Sequence, residues 1–312
     1  MEIEFLGTGA AQPSKTRNVS SLALKMLDIN NQIWLFDVGE ATQHQILRTN
    51  IRPRKISKIF ISHLHGDHIF GLPGFLTSRQ FQGSDNQPIS DVDIYAPKGL
   101  KDFVLTSFKV SKTHLPYRVN FIDIQEGKIF EDEYFEVYSY PIKHGIEAFG
   151  FRIVEKDVIG VLDVEAAKKA GVPFGPLMGQ LKDRKKITLD NGEEISGENF
   201  VGPDIKGRSI AIINDSIANP VENQLAKNVD YLIHEATFDF GEDKMAKKFN
   251  HSTIEQAALV AKENHVGELF VTHISNRYLS NDIKIMQEAV RKVFENTTIV
   301  KDLQIIELPT KK

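Results

Sequence analysis

Seven consecutive residues, Ser62-His63-Leu64-His65-Gly66-Asp67-His68, constrain this chain more than any other stretch: four of them are metal-ligand types, and they follow the apolar run Lys58-Ile59-Phe60-Ile61. A β-branched and aromatic run of this kind reads as a buried strand, and alternation along a strand sends His63 and His65 to one side. Gly66 is expected to permit a sharp turn that returns Asp67 and His68 to the same point, with Ile69 to Gln80 continuing as a helix. Imidazole nitrogens and carboxylate oxygens suit zinc first, with manganese or iron as other occupants. A catalytic zinc takes about three protein ligands and keeps a position for water. So many ligands on one loop therefore suggest two metals sharing it, completed by residues from elsewhere.

Three such residues stand where strand-like runs end. His144 follows Tyr138 to Lys143, Asp215 follows Ile210 to Ile213, and His273 follows Leu269 to Thr272. In stacked-sheet α/β architectures strand ends gather along one rim, so these side chains can converge on the metal loop. A two-metal site stabilises both the attacking and the leaving oxygen of a phosphoryl transfer, which makes a phosphodiester a natural substrate. Asp67, beside the metals, could orient and deprotonate the attacking water while also serving as a ligand.

The chain contains no cysteine, so disulfides, thiolate ligands and thiol nucleophiles are excluded and histidine and carboxylates must carry any metal. No run of about eighteen apolar residues is available to span a bilayer, and the strand-like Glu2 to Leu6 follows Met1 without a signal-peptide pattern. The expectation is a cytoplasmic protein with no membrane contact. A net charge of -4 argues mildly against a general nucleic-acid coat, although local basic patches bind phosphates whatever the total.

Strands are expected near Ile3 to Leu6, Ser21 to Met26, Gln32 to Phe36, Val92 to Tyr95, Val119 to Ile124, Phe135 to Tyr140, Phe149 to Val154, Ser209 to Ile213, Asp230 to Ile233 and Glu268 to Thr272. Helices are expected up to Arg48, from Lys98, and over Thr253 to Asn264. This mixture predicts an α/β fold with helices outside two sheets. At about 155–207 the character changes: glycines and prolines punctuate it, and it carries the basic run Lys182-Asp183-Arg184-Lys185-Lys186. It reads as an insertion from a single domain spanning 1–312. A charge run is usually a solvated surface, and equally it is how a phosphate-backbone contact looks.

The His63 to His68 motif after an apolar strand is similar to the signature of the metallo-β-lactamase superfamily of dinuclear hydrolases. Pro13 to Asn18, Asp37 to Gln43, His234 to Phe238 and His251-Ser252-Thr253 narrow this, and together they resemble ribonuclease Z, the tRNA 3′-processing endonuclease. The resemblance runs from residue 3 to about Tyr278. It implies a four-layer αββα sandwich with an inserted exosite arm and two Zn²⁺ per chain, with Mn²⁺ or another divalent metal as substitutes. It assigns His63, His65 and His144 to one metal and Asp67, His68 and His273 to the other, with Asp215 bridging. It further implies Asp67 as proton acceptor, Glu235 and His251 as a pair assisting proton delivery to the leaving oxygen, and a homodimer acting on precursor tRNA. The loop holding Lys15 and Arg17 would meet the RNA end. Lys182, Arg184, Lys185 and Lys186 would let the arm grip tRNA. One departure is visible: the family usually shows Gly-Asp-Thr around the bridging aspartate, whereas this chain has Asn214-Asp215-Ser216. Asn is the best non-glycine occupant of left-handed backbone, and the bridge is expected to survive.

Two other readings share these residues. One is a small-molecule phosphodiester or ester hydrolase on the same dinuclear scaffold, for which a distant arm would have no use. The other is a metal-stabilised RNA-binding protein without turnover, against which a ligand set with room for water argues.

Overall fold

The computed structural model describes residues 1–82 and 88–310, which include every candidate site residue. The chain divides into one unit of Met1–Val154 with Ser209–Leu308, and a second of Glu155–Arg208 with the C-terminal residues from Pro309.

The larger unit is built on two seven-stranded sheets. The first contains β1 (Glu2–Gly7), β2 (Ser21–Met26), β3 (Gln32–Phe36), β4 (Ile56–Phe60), β5 (Val92–Ala96) and β6 (Val119–Asp123), with β16 (Ile305–Glu307) closing the edge beside β1. The second contains β7 (Gly127–Glu131), β8 (Phe135–Ile142), β9 (Ala148–Glu155), β12 (Ser209–Ile213), β13 (Tyr231–Glu235), β14 (Glu268–Thr272) and β15 (Thr297–Ile299), in the order β15-β14-β13-β12-β9-β8-β7.

Period-two alternation explains the layering. Trp34 and Phe36 of β3 face Phe135, Phe151, Ile210 and Ile212 in a core between the sheets, while Ile33 and Leu35 point outward against Ile46, Phe75 and Leu76 of the helices Thr42–Ile46 and Leu72–Arg79. In β12, Ile210 and Ile212 face that shared core. Ala211 and Ile213 instead pack under the helices Val221–Ala226, Ile254–Glu263 and Ser280–Val293. The result is the expected αββα order. Phe36, Phe60 and Tyr95 stack in a row, with centroids 4.9 Å apart at each step, and Phe151 meets Phe36 and Phe60 edge-on across the sheets.

β3, β4, β5 and β6 run parallel, as do β12, β13, β14 and β15. The carboxyl ends of each set therefore share a rim. The helix expected over Ile69 to Gln80 is interrupted: one turn spans Gly66–Ile69 and a second helix begins at Leu72. Gly71 lies between them, so tightly against Gly39 that a Cβ would come within 2.0 Å of the Gly39 carbonyl. Such an approach needs glycine.

The smaller unit has its own core, formed by Ala167, Val172, Met178, Leu181, Ile187 and Ile195. The helices Val164–Lys169 and Pro176–Lys182 and a hairpin of β10 (Lys186–Thr188) and β11 (Glu194–Ser196) supply it. Asp163 caps the first helix by accepting from the Ala166 N–H at 2.9 Å. Among the described residues no helix is long and apolar enough to cross a membrane.

Candidate metal centre

The strand-end residues converge as their positions suggested. His63, His65, His144 and Asp215 form one set, Asp67, His68, Asp215 and His273 a second, and within each set the ligand atoms lie within 4.8 Å of one another. Asp215 is common to both. The division implied by the resemblance thus corresponds to two clusters in space.

Tautomers can be derived from the hydrogen bonds behind the cluster. Asp37 accepts at Oδ1 from Ser62 N–H and at Oδ2 from Ser62 Oγ–H, both at 2.8 Å, and at Oδ2 from His68 Nδ1 at 2.6 Å. A carboxylate only accepts, so His68 carries its proton on Nδ1. Ser62 has spent its proton on Asp37 and must accept from His63 Nδ1, 3.0 Å away. His144 Nδ1 donates to the Asn250 carbonyl at 2.8 Å. Thr237 Oγ1 gives its proton to Glu235 and accepts from His273 Nδ1, both at 2.9 Å. Four imidazoles therefore commit Nδ1 to a partner behind the cluster and turn Nε2 inward.

These inward atoms lie against another ring nitrogen and the Asp215 carboxylate. His63 Nε2 is 3.0 Å from His65 Nδ1 and 3.6 Å from Asp215 Oδ2, and His144 Nε2 is 3.1 Å from His65 Nδ1. His273 Nε2 lies 3.1 Å from Asp215 Oδ1, and His68 Nε2 lies 3.3 Å from it. His68 Nε2 and Asp215 Oδ1 are buried and lack a hydrogen-bond partner. Inward Nε2 atoms converging on buried carboxylates are a donor set that fits divalent metal ions, and an ion there would take the place of the proton that Asp215 and Asp37 favour on His68.

Charge follows the same pattern. Burial opposes ionisation of Asp215, but His273, His68 and His63 outweigh it and hold its carboxyl well below the usual range. Asp67 is likewise lowered: burial pushes it up, and His273 and His68 more than reverse that. Burial lowers His68, yet Asp215 and Asp37 leave it well above the ordinary value. Burial dominates for His63 and His144, and both are lowered.

The metal loop is held by close backbone contacts. Val38 N–H donates to the His68 carbonyl at 2.8 Å, Ala11 N–H donates to Asp67 Oδ2 at 2.9 Å, and a Cβ on Gly39 would meet the Asp67 carbonyl at 2.3 Å. Gly66 does not act as a left-handed turn residue. His65 is extended and Gly66 opens a helical turn, with the outer edge of the exposed Phe70 ring 2.5 Å from where a Cβ would stand. Asp37 and His273 carry the left-handed backbone instead, at φ 57° and 54°, conformations that cost a non-glycine residue energy and that cluster at functional sites.

Glu235 and His251 lie beside the second cluster, with His251 Nδ1 at 3.0 Å from Glu235 Oε1 and 4.0 Å from Asp215 Oδ2. Glu235 is fully buried and also accepts from Ser216 N–H, Ser252 N–H, and Thr237 N–H and Oγ–H. Burial opposes protonation of His251, but Glu235 raises it to about 9.

Two groups of residues expected to meet RNA are placed differently. Lys15 is exposed at an open cavity of about 850 Å³ that Arg17, Tyr278, Ser280 and Lys301 also line. Arg17 Nη1 is already committed to Thr8 Oγ1 at 2.6 Å and the Val300 carbonyl at 2.7 Å, and burial lowers its pKa. Arg17→Ala should therefore cost about 1–3 kcal/mol by leaving buried partners unsatisfied, whereas Lys15→Ala should leave the melting temperature unchanged. Thermal denaturation of both variants checks this.

In the smaller unit Arg184 forks onto Asp204, at 2.6 and 3.2 Å, and Lys185 pairs with Asp183 at 3.0 Å. Lys182 and Lys186 are exposed, and neither forms an ion pair among the described residues. Residues 155–208 carry nine Lys and Arg against ten Asp and Glu, a net charge of about -1, so the basic run does not make the segment basic.

Comparison with known proteins gives the following likenesses. Residues 1–158 match the family model described as Anti-Pycsar protein Apyc1. The chain is 52% identical over 310 residues to a ribonuclease Z of Ligilactobacillus salivarius, covering 99% of this chain and 97% of that one. The structure of human tRNase Z, short form, is 30% identical with a TM-score of 0.70 and covers 99% of this chain and 100% of the human one. The metallo-β-lactamase-fold protein YhfI from Bacillus subtilis, at 17% identity and TM-score 0.66 over 98% of each chain, shares the fold.

Proposed function

The chain belongs to the ribonuclease Z family, and from that membership we propose that it removes 3′ trailers from precursor tRNA, cutting after the discriminator nucleotide to leave a tRNA 3′-hydroxyl. It is a metal-dependent endoribonuclease. The observation that carries the chemistry is the inward convergence of imidazole Nε2 atoms and two carboxylates on one rim. The likeness to Apyc1 stops at residue 158, before Asp215, Glu235, His251 and His273, whereas the likeness to ribonuclease Z runs through all four.

His63, His65, His144 and Asp215 would hold one divalent cation, and Asp67, His68, Asp215 and His273 the other, with zinc the preferred occupant of this nitrogen and oxygen set. Two such ions supply a water of lowered pKa and charge stabilisation for in-line displacement at phosphorus. Asp67, ionised and fixed by Ala11, orients the attacking water and accepts its proton. His251 begins protonated against Glu235 and gives a proton to the leaving oxygen. On the same reading the segment at about 155–207 is the tRNA-gripping arm, and the protein works as a cytoplasmic homodimer.

Within the arm the free lysines bind the phosphates. Neutralising Lys182 and Lys186 together should lower the salt slope of log K for tRNA by roughly 0.7 to 0.9 for each phosphate that is no longer paired with a lysine, with hydrolysis of a small chromogenic phosphodiester unchanged. Filter binding over a salt series reads the first effect. An unaltered slope returns both lysines to the solvated surface.

The function itself is tested by incubating the purified protein with a precursor tRNA bearing a 3′ trailer, with and without chelator, and mapping the product end. Metal-dependent cleavage one bond after the discriminator nucleotide supports the reading. Hydrolysis of small phosphodiesters with the precursor left intact would favour a small-molecule hydrolase.

A further inference from the structure

The residue before the bridging aspartate is expected to be Asn for its tolerance of left-handed backbone, but Asn214 is absent from the positive-φ residues. Its backbone conformation is open to any L-residue, so another cause must account for the side chain. That side chain is buried at 7% exposure and its Nδ2 donates to Asp37 Oδ2, the oxygen that also takes Ser62 Oγ–H and His68 Nδ1–H. Asp37 follows β3 in the first sheet and Asn214 follows β12 in the second, so the bond ties the two sheets together directly behind the cluster.

Asp37 is thereby a common acceptor. It takes one donor on Oδ1 and three on Oδ2. Three ligands are referred to this one carboxylate: His68 directly, His63 through Ser62, and Asp215 through its neighbour Asn214. On the other side of Asp215, Ser216 N–H is fixed by Glu235 and Ser216 Oγ by the buried Glu222. The bridging carboxylate is thus held from both flanks, and only the Asn214 side refers it to the element that orients His68.

We infer that Asn214 is a positioning residue of the metal centre, setting the separation of Asp215 and His68 by bonding the carboxylate that holds His68. A glycine at this position has no group to make that bond. The amide's withdrawal of charge from Asp37 acts in the opposite sense, by making His68 a slightly weaker base. It reaches His68 only through two hydrogen bonds in series.

The inference rests on the dinuclear reading, and the experiment separates the two. Apo wild type, Asn214→Ala and the nearly isosteric Asn214→Leu are titrated with Zn²⁺ against a chromogenic chelator, and the melting temperature of each apo protein is measured. Both variants should retain the first metal-binding step and lose about tenfold or more in affinity for the weaker site, the size typical of removing a group behind the ligands. The visible spectrum of the Co²⁺-loaded variants should change in parallel. Wild-type affinity and spectrum in either folded variant would overturn the inference while leaving the dinuclear reading intact, and so would a lowered apo melting temperature without an affinity change. A wild type that takes up no second ion would instead remove the dinuclear reading.

Discussion

Asp67→Ala is expected to reduce precursor cleavage by about 10³ to 10⁴-fold at saturating metal, while tRNA binding stays within a few-fold of wild type. General acid-base assistance alone contributes about 10² to 10⁴, and Asp67 also belongs to the second ligand set. Its Oδ2 lies 3.5 Å from both His68 Nε2 and His273 Nε2 and accepts from Ala11, so removing it takes away the acceptor for the water's proton and one wall of the second cluster together. Affinity should persist because the arm carries its own core and its own exposed lysines. Single-turnover cleavage at high metal, beside equilibrium binding of the same precursor, separates the two quantities. Cleavage within tenfold of wild type would remove Asp67 from the reaction.

His251→Ala should cost about 10² to 10³-fold if His251 is the proton donor to the leaving oxygen. Glu235→Gln should match it, and the double variant should be no slower than either single one. The reason is that, on the proposed mechanism, Glu235 acts through His251: it is fully buried and its nearest titratable partner is His251, at 3.0 Å. An amide in its place turns one NH₂ toward groups that are all donors, namely Ser216 N–H, Ser252 N–H and Thr237, or toward His251 itself. The imidazole then loses the anion that keeps it charged. Residues acting as a unit give non-additive losses. Independent, multiplying losses would mean that Glu235 works by another route, through Thr237 and His273.

The clustering of these histidines and aspartates was legible because its grammar is local. An apolar strand ended by ligand-type residues presents them at a rim, and this holds for His63, Asp215 and His273 whatever the distance between them in sequence. Ser21–Met26 and Gln32–Phe36 were legible for a similar reason, since a strand buried on both faces leaves a short, largely apolar run. Gly127–Glu131 and Ile305–Glu307 left none: they are short sheet-edge strands with no buried residue. The groups behind the ligands were hidden too, because the hydrogen bond from Asn214 to Asp37 joins residues 177 apart and has no spacing to read. Asp37 stood out only as part of a motif, and its role as common acceptor emerges from the approach of Ser62, His68 and Asn214. Arg184 shows the converse: a run of cations looks available in sequence, and Asp204, twenty residues on, removes one of them.

On the proposed mechanism two metal ions share the rim around Asp215. The most direct measurement is the metal content of fully active protein, by mass spectrometry after dialysis, with activity followed as metal is titrated back into the chelated enzyme. Two equivalents per chain, with cleavage returning only as the second is taken up, is the predicted result. Full activity at one metal or fewer per chain would contradict it.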